Sequence, residues 1–118
     1  MTPFGKAVRH LRIEREMLLG DMAEILHVSP SYISQIEMGR KPIPDGFPER
    51  IASLFGLQGE ASEQLRSDAA RSMSEFKIKL EAGASDKDRI LANAIALEFA
   101  RLTPEAKERI QNIVQGSH

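Results

Sequence analysis

Cysteine is absent from the 118 residues of the sequence. The chain can therefore form no disulfide, no thiolate metal site and no cysteine nucleophile. No apolar run is long enough to cross a bilayer, and the first ten residues lack the continuous apolar stretch of a signal peptide. A cytoplasmic protein without membrane partners is therefore expected.

A strong excess of either charge is also missing. The 16 Lys and Arg residues nearly balance the 17 Asp and Glu residues, so the formal net charge is −1. Residues 1–57 are balanced as well, with seven basic and seven acidic side chains. Nucleic-acid-binding domains are usually basic. The overall charge thus gives no reason to expect DNA binding, and any such function must depend on local geometry.

Motifs of catalysis and metal binding do not occur. The three histidines, His10, His27 and His118, share no helical spacing. The sequence contains no HxxxH or HExxH pair, no glycine-rich phosphate loop and no nucleophile motif. We expect no enzymatic activity, no metal and no cofactor.

Helix signals are abundant instead. Thr2-Pro3 and Ser29-Pro30 each combine an N-cap residue with proline at the first helical position, and Gly39 is suited to end the helix that Ser29 begins. Apolar spacing predicts four helices, over residues 3–17, 18–26, 30–38 and 47–55. Their predicted inward residues are Phe4, Val8, Leu11, Leu18, Met22, Ile25, Leu26, Ile33, Ile36, Ile51, Leu54 and Phe55. No segment is interpreted as an alternating strand, so the predicted fold class is all-α.

The second and third predicted helices are separated from each other by a very short turn. Only His27 and Val28 precede the cap of the third helix, which meets the spatial requirement of a helix-turn-helix. The residues that match in register are Val8, Leu11, Arg12, Met22, Ala23, Leu26, Val28, Ser29, Ile33, Ser34, Ile36, Glu37, Gly39 and Arg40. Over residues 4–57 the chain resembles the Xre/Cro-type helix-turn-helix family of bacterial and phage repressors.

This resemblance implies sequence-specific binding of duplex DNA, usually by a dimer, with the third helix in the major groove. The residues expected to face base edges are Ser29, Pro30, Ser31, Tyr32, Ser34 and Gln35. Short side chains permit close approach, and Gln35 can offer a donor and an acceptor to adenine. Tyr32 can contact a thymine methyl group or a phosphate. Phosphate contacts are expected from Arg40, Lys41, Lys6, Arg9 and Arg12.

Arg12 and Glu37 also resemble the internal ion pair of the family, which would fix the angle of the third helix. The chain departs from the family pattern at two places. Asp21 follows Leu18, Leu19 and Gly20 where relatives often have a Thr or Ser cap and a phosphate-binding Gln, and Asp45 stands where some relatives carry a basic residue. These departures predict modest non-specific affinity and reliance on cooperative dimers.

The second half is predicted to be helical as well. A fifth helix is predicted over residues 60–81, a sixth with Asp86 as its cap, and a last one from Thr103-Pro104. Ten of the thirteen residues from Ile90 to Leu102 are apolar, so the sixth helix needs a partner. Dimer contacts are predicted for Phe76, Leu80, Ile90, Leu91, Ile95, Leu97, Phe99, Leu102, Ile110 and Ile113.

The predicted organisation is a DNA-binding domain over 1–57, a helical dimerisation segment over 58–115, and a tag remnant over 116–118. Two alternatives to dimerisation stay open: these helices fold back on the first domain, or they bind another protein. The favoured function is a dimeric repressor of an inverted-repeat operator, with recognition helices about 34 Å apart. The alternative is an antitoxin that neutralises a toxin through its C-terminal helices and regulates its own operon.

Overall fold

A computed structural model of the chain describes residues 1–116, and these residues contain helices and no strand. The α-helices are α1 Pro3–Glu14, α2 Leu19–Leu26, α3 Pro30–Glu37, α4 Phe47–Leu54, α5 Glu60–Arg71, α6 Asp86–Glu98 and α7 Pro104–Gly116. A 3₁₀ turn, Phe99–Arg101, follows α6. The predicted all-α class is confirmed. Of the predicted tag remnant, Gly116 ends α7, and Ser117 and His118 lie outside the described residues.

The chain divides into two compact units, Met1–Phe76 and Lys77–His118. The core of the first unit is formed by apolar side chains from five helices: Phe4, Val8, Leu11, Met22, Ala23, Leu26, Ile33, Ile36, Phe47, Ile51, Ala52, Leu65 and Ala69. The division therefore differs from the predicted boundary after residue 57. The reason is that α5 packs on α1 and α4 and buries Leu65 and Ala69 in this core.

Three residues predicted to face inward are exposed instead. Leu18 precedes the first turn of α2 and is 75% exposed. In α2 the buried stripe runs through Met22, Ala23 and Leu26, which leaves Ile25 on the outer side. Leu54, at the end of α4, is also largely exposed. Ala23, whose small side chain suits close packing of α2 on its neighbours, is buried at 2% exposure.

The predicted fifth helix is too long. Helix α5 ends at Arg71, and Ser72 caps it by donating to the carbonyl oxygen of Asp68 at 2.6 Å. The hydroxyl oxygen of Ser72 also accepts a hydrogen bond of 2.9 Å from the backbone N–H of Phe4. These bonds tie the end of α5 to the first turn of α1. Phe76 and Leu80 therefore lie beyond the helix and are exposed.

The second unit contains α6, the 3₁₀ turn and α7. Its helices begin with side-chain caps: the hydroxyl oxygen of Ser85 accepts from the N–H of Asp88, and that of Thr103 accepts from the N–H of Ala106, both at 3.1 Å. The cap of α6 is thus Ser85, one residue before the predicted Asp86. None of the three elements contains a buried residue.

Candidate nucleic-acid interface

Helix α3 begins as its sequence predicts. Ser29 is the N-cap, and its hydroxyl oxygen accepts a 3.1 Å hydrogen bond from the backbone N–H of Tyr32. Pro30 occupies the first helical position, where its missing N–H and its fixed φ both suit a helix start. At the other end, Gly39 has a φ of +76°, a left-handed conformation that favours glycine. These signals limit α3 to about two turns.

The turn between α2 and α3 is fixed by backbone bonds and one distant side chain. His27 has a φ of +57° and ends α2, and the N–H of Val28 donates to the carbonyl oxygen of Ala23 at 3.0 Å. The guanidinium of Arg50, on α4, donates to the carbonyl oxygen of Leu26, the last residue of α2. Arg50 thereby satisfies one of the unpaired carbonyl groups at that helix end. Arg50 thus joins α4 to the end of α2, immediately before the turn that leads into α3.

The inner face of α3 is fixed to α1. Ile33 and Ile36 are buried, as predicted. A Cβ added to Gly5 would lie 1.9 Å from the carbonyl oxygen of Glu37, so α1 and the end of α3 are in direct contact at this glycine. Only a residue without a side chain permits this approach. Any larger residue at position 5 would push the two helices apart.

The predicted ion pair lies beside this contact. Arg12 Nη2 is 3.2 Å from Glu37 Oε1, and the two side chains are only 15% and 6% exposed. A buried carboxylate is costly unless it is paired, so this bond stabilises one orientation of α3 on α1. Arg12 is therefore placed as a structural partner of Glu37. Its additional role as a phosphate contact stays a prediction.

The outer surface of α3 carries the six residues predicted to read bases. Ser29, Pro30 and Ser31 are exposed, while Tyr32, Ser34 and Gln35 are partly exposed. The side-chain amide of Gln35 lies 3.4 Å from the hydroxyl oxygen of Ser31, one turn earlier. The structure brings these side chains together at the first two turns of one short helix. Their contacts with bases stay predictions.

Tyr32 has two roles in the free protein. Its ring packs against the hydrophobic core of the first unit. The ammonium nitrogen of Lys41 lies 5.1 Å from the centroid of the same ring. This is within the range of a cation–π interaction. Lys41 is therefore held beside α3 by one of the predicted base-reading residues.

The basic residues predicted to contact phosphates are distributed over several faces. Arg40 and Lys41 directly follow α3 and are exposed, and the N–H of Arg40 donates to the carbonyl oxygen of Gln35 at 2.8 Å. Arg9 is exposed on the side of α1 that also carries Gly5 and Arg12, the side facing α3.

Lys6 differs from these residues. It lines a groove of about 760 Å³ between α1 and α5, together with His10 and Glu14. His10 Nε2 and Glu14 Oε1 lie 3.1 Å apart on the same helix, and both side chains are exposed. Lys6 thus borders the side of α1 that faces α5, and its contact with a phosphate stays a prediction.

Two carboxylates lie at the edges of the exposed surface formed by α3 and the basic residues that follow it. Asp21 Oδ2 accepts a 2.9 Å hydrogen bond from the N–H of Leu18, so the N-terminus of α2 is capped by its own side chain. A phosphate at that helix end would meet this negative charge. Asp45 lines a cleft of about 450 Å³ that also includes Ser29, Tyr32 and Arg50. It therefore lies next to the start of α3.

Sequence reasoning missed Gly5, Arg50 and Ser72, which orient helices without belonging to the exposed surface of α3. The sequence signal for each is weak: a glycine within an amphipathic helix, an arginine in a short helix, and a serine inside a longer helical pattern.

Within residues 1–116, no three His, Asp or Glu side chains lie close enough together to hold a metal ion. No helix in that range has the length and apolar character needed to cross a membrane.

Known proteins have sequences similar to the helix-turn-helix part of this chain. The helix-turn-helix domain family matches residues 3–65. The HTH-type transcriptional regulator RamB from two strains of Mycobacterium tuberculosis is 34% identical over 76 residues, which are 64% of this chain and 16% of RamB. This chain thus spans 16% of the length of the curated relatives it matches, and no solved structure gives a significant match. Since this match covers more than half of the sequence, the chain belongs to the helix-turn-helix domain family.

Proposed function

We propose that this chain is a cytoplasmic, dimeric repressor that binds an inverted-repeat operator in duplex DNA. The observation that carries the proposal is the position of α3, whose inner face is locked to α1 while its outer face presents short polar side chains. A helix can enter the major groove only if the side chains facing the bases are short enough to allow close approach. No enzymatic step is part of this function.

Base reading would depend on the first two turns of α3. Gln35 can form two hydrogen bonds with adenine, and Ser31 or Ser34 can bond to several bases. Ser29 has its hydroxyl oxygen engaged as the cap, which leaves its hydroxyl hydrogen to donate. Tyr32, stacked under Lys41, would present its ring edge or hydroxyl at the rim of the groove.

Phosphate binding would depend on Arg40, Lys41 and Arg9. These three cations are few for a DNA-binding surface, and Asp21 and Asp45 add negative charge at its edges. Sequence-independent affinity grows with the number of phosphates that are neutralised. We therefore expect weak binding to random DNA and a strong dependence on the simultaneous engagement of two half-sites.

Dimerisation would come from the second unit. Its large apolar side chains are exposed, including Ile90, Leu91 and Leu97 at more than half of their surface. Exposed apolar clusters of this kind mark interaction surfaces. A two-fold dimer would set the two α3 helices about 34 Å apart, which matches successive major grooves on one side of the duplex.

Selection of bound duplexes from a randomised library tests the proposal. The purified full chain is expected to enrich an inverted repeat whose half-sites lie about one helical turn apart. A Glu37→Ala variant under the same conditions serves as a comparison with a loosened α3. A folded wild-type chain that enriches no sequence at low salt would contradict the proposal.

The exposure of the apolar side chains in the second unit favours one other candidate function, that of an antitoxin whose C-terminal helices bind a toxin. The oligomeric state of the full chain distinguishes the two candidates. A repressor of the proposed kind sediments as a dimer at micromolar concentration. A chain that remains a monomer without a protein partner would favour the antitoxin.

A further inference from the structure

Lys41 has two separate connections to α3. Its ammonium nitrogen lies 5.1 Å from the centroid of the Tyr32 ring. Its backbone N–H lies 3.3 Å from the carbonyl oxygen of Gln35, which also accepts the N–H of Arg40 at 2.8 Å. Tyr32 and Gln35 are the two largest of the six residues predicted to read bases. A cation that follows α3 is therefore connected to both of them.

The backbone around Lys41 restricts where its side chain can lie. Gly39 ends the helix with a φ of +76°. Pro42 follows Lys41 directly, and proline disfavours a helical conformation at the residue before it. Because the backbone is restricted on both sides, less conformational entropy is lost when the ammonium group is held over the ring. The local sequence thus favours the contact between Lys41 and Tyr32.

The ring of Tyr32 has space to move. It borders the cleft of about 450 Å³ beside the start of α3, which also includes Ser29 and Arg50. A ring that turned into this cleft would leave the exposed surface of α3. Lys41 lines a separate recess near the end of α3, together with Gly39. Its attraction for the ring face therefore favours the ring position on the surface of α3 over a position in the cleft.

We propose that Lys41 is a specificity-determining residue, which positions the Tyr32 ring for contact with a base. This inference rests on the proposed function and adds a second role for Lys41 beside its phosphate contact. A phosphate contact strengthens binding to every duplex alike. A positioned ring strengthens binding only where the adjacent base pair offers a suitable group, such as the methyl group of thymine. Loss of Lys41 should therefore reduce discrimination at one position of each half-site.

Arg40 provides a matched comparison, one residue earlier. Both cations are exposed and follow α3. Within residues 1–116, the cations that lie over aromatic rings are Arg15, Lys41 and Lys107. Arg40 is therefore expected to contribute to phosphate binding alone. The two neighbouring cations should differ in how the effect of their loss depends on the DNA sequence.

Selection from a randomised duplex library, followed by binding isotherms, tests this role. The full-length proteins compared are the wild type, Lys41→Gln, Lys41→Arg, Arg40→Gln and Tyr32→Leu. The position at which Tyr32→Leu relaxes the selected sequence identifies the base pair next to the ring. Dissociation constants are then measured for the enriched duplex and for the same duplex with that base pair changed, and their ratio gives the discrimination.

The variants should separate into two groups. Lys41→Gln should lower the discrimination about two- to fivefold, as expected for the loss of an exposed cation–π contact. Lys41→Arg keeps a cation for the ring and should retain the discrimination of the wild type. Arg40→Gln should weaken binding to both duplexes equally. If Lys41→Gln also weakened binding to both duplexes equally, Lys41 would be a phosphate contact only, and the inference would be overturned.

A double variant tests whether Lys41 acts through the ring. Once Tyr32→Leu has removed the ring, adding Lys41→Gln should cause no further loss of discrimination, although binding to all DNA should still weaken. A further loss as large as that caused by Lys41→Gln alone would overturn the inference, because Lys41 would then act on the base pair without Tyr32.

The contact itself can be measured in the protein without DNA. Protons that lie over the face of an aromatic ring resonate at high field, so the methylene protons beside the Lys41 ammonium group should be shifted upfield in the wild type. Tyr32→Leu should remove this shift, while Tyr32→Phe, which keeps a ring, should retain it. Identical resonances in the wild type and in Tyr32→Leu would show that the ring is not in contact and would overturn the inference.

Failure of this inference can be distinguished from failure of the proposed function. If the wild type enriches an inverted repeat and Lys41→Gln keeps full discrimination, the role of Lys41 is wrong while the repressor stands. If the folded wild type enriches no sequence, the repressor is wrong and the role of Lys41 in specificity is overturned with it.

Discussion

The two units of this chain differ in where their apolar side chains lie. All 13 buried apolar residues of the described chain belong to the first unit, between Phe4 and Ala69. The helices of the second unit have none, although α6 alone carries Ile90, Leu91 and Leu97 in exposed positions. Hydrophobic content is therefore not the same as a hydrophobic core. The first unit buries its apolar side chains against one another, while the helices of the second unit leave theirs exposed.

This difference agrees with the functions proposed for the units. A recognition helix must be held at a fixed angle. In the first unit Gly5 and Glu37 fix α3 to α1, while Arg50 joins α4 to the end of α2, just before the turn to α3. A dimerisation element must expose its apolar surface until it associates. Each unit thus has the exposure that its proposed role requires.

The largest effect is expected from a core substitution in the first unit. Leu26→Ala removes a fully buried side chain and leaves a cavity, so it should lower the free energy of unfolding by about 3 kcal/mol. Leu97→Ala is the matched control, since Leu97 is 68% exposed. Chemical denaturation at a concentration that keeps the chain monomeric measures both. Equal destabilisation by the two variants would show that the second unit also contains a core of its own.

Capping residues account for most of what the sequence predicted correctly. Thr2, Ser29 and Thr103, each followed by proline, begin α1, α3 and α7 as expected. These signals are local, because a cap and its N–H donor are three residues apart. The helix-turn-helix was therefore predictable, including the pairing of Arg12 with Glu37, which the resemblance to the Xre/Cro family indicated.

Long-range contacts account for what was not predicted. The end of α5 is set by Ser72, whose partner Phe4 is distant in sequence. The brace from Arg50 to Leu26 likewise joins two helices. Such bonds produce no regular spacing of residues in the sequence, so they cannot be predicted from it. At residues 75–81 a strand pattern and a helix pattern overlap, and apolar spacing alone could not separate them.

A smaller effect is expected from the ion pair under α3. Glu37→Ala leaves Arg12 buried without its partner and should destabilise the first unit by about 2 kcal/mol, less than for a fully buried pair because Arg12 keeps 15% exposure. Operator affinity should fall as well, since α3 loses its fixed angle. Glu14→Ala is the control, because the exposed pair with His10 contributes little. Self-association should be unchanged, and its loss would contradict the separation of roles.

The brace from α4 should have a still smaller effect. Arg50→Met removes the hydrogen bond to the carbonyl oxygen of Leu26 and should cost about 1.5 kcal/mol. Because this bond fixes the turn before α3, operator binding should weaken more than binding to random DNA. Arg66→Met is the control, since Arg66 pairs only with exposed carboxylates. Titration of both variants with operator and random duplexes measures the difference, and an equal loss on both DNAs would contradict a positioning role.

The smallest effect is expected at the proposed DNA surface itself, where stability should not change. Gln35→Ala should reduce discrimination between operator and random DNA by about 1 kcal/mol, because it removes a contact with a base edge. Arg40→Ala, its matched comparison, should weaken binding to all sequences and reduce the slope of log affinity against log salt by about one unit. Both variants should unfold and self-associate as the wild type does, since both side chains lie outside the core. Binding isotherms at several salt concentrations distinguish the two roles. If Gln35→Ala lost equal affinity for both DNAs, the residue would be a backbone contact, and base reading would pass to Ser31, Tyr32 and Ser34.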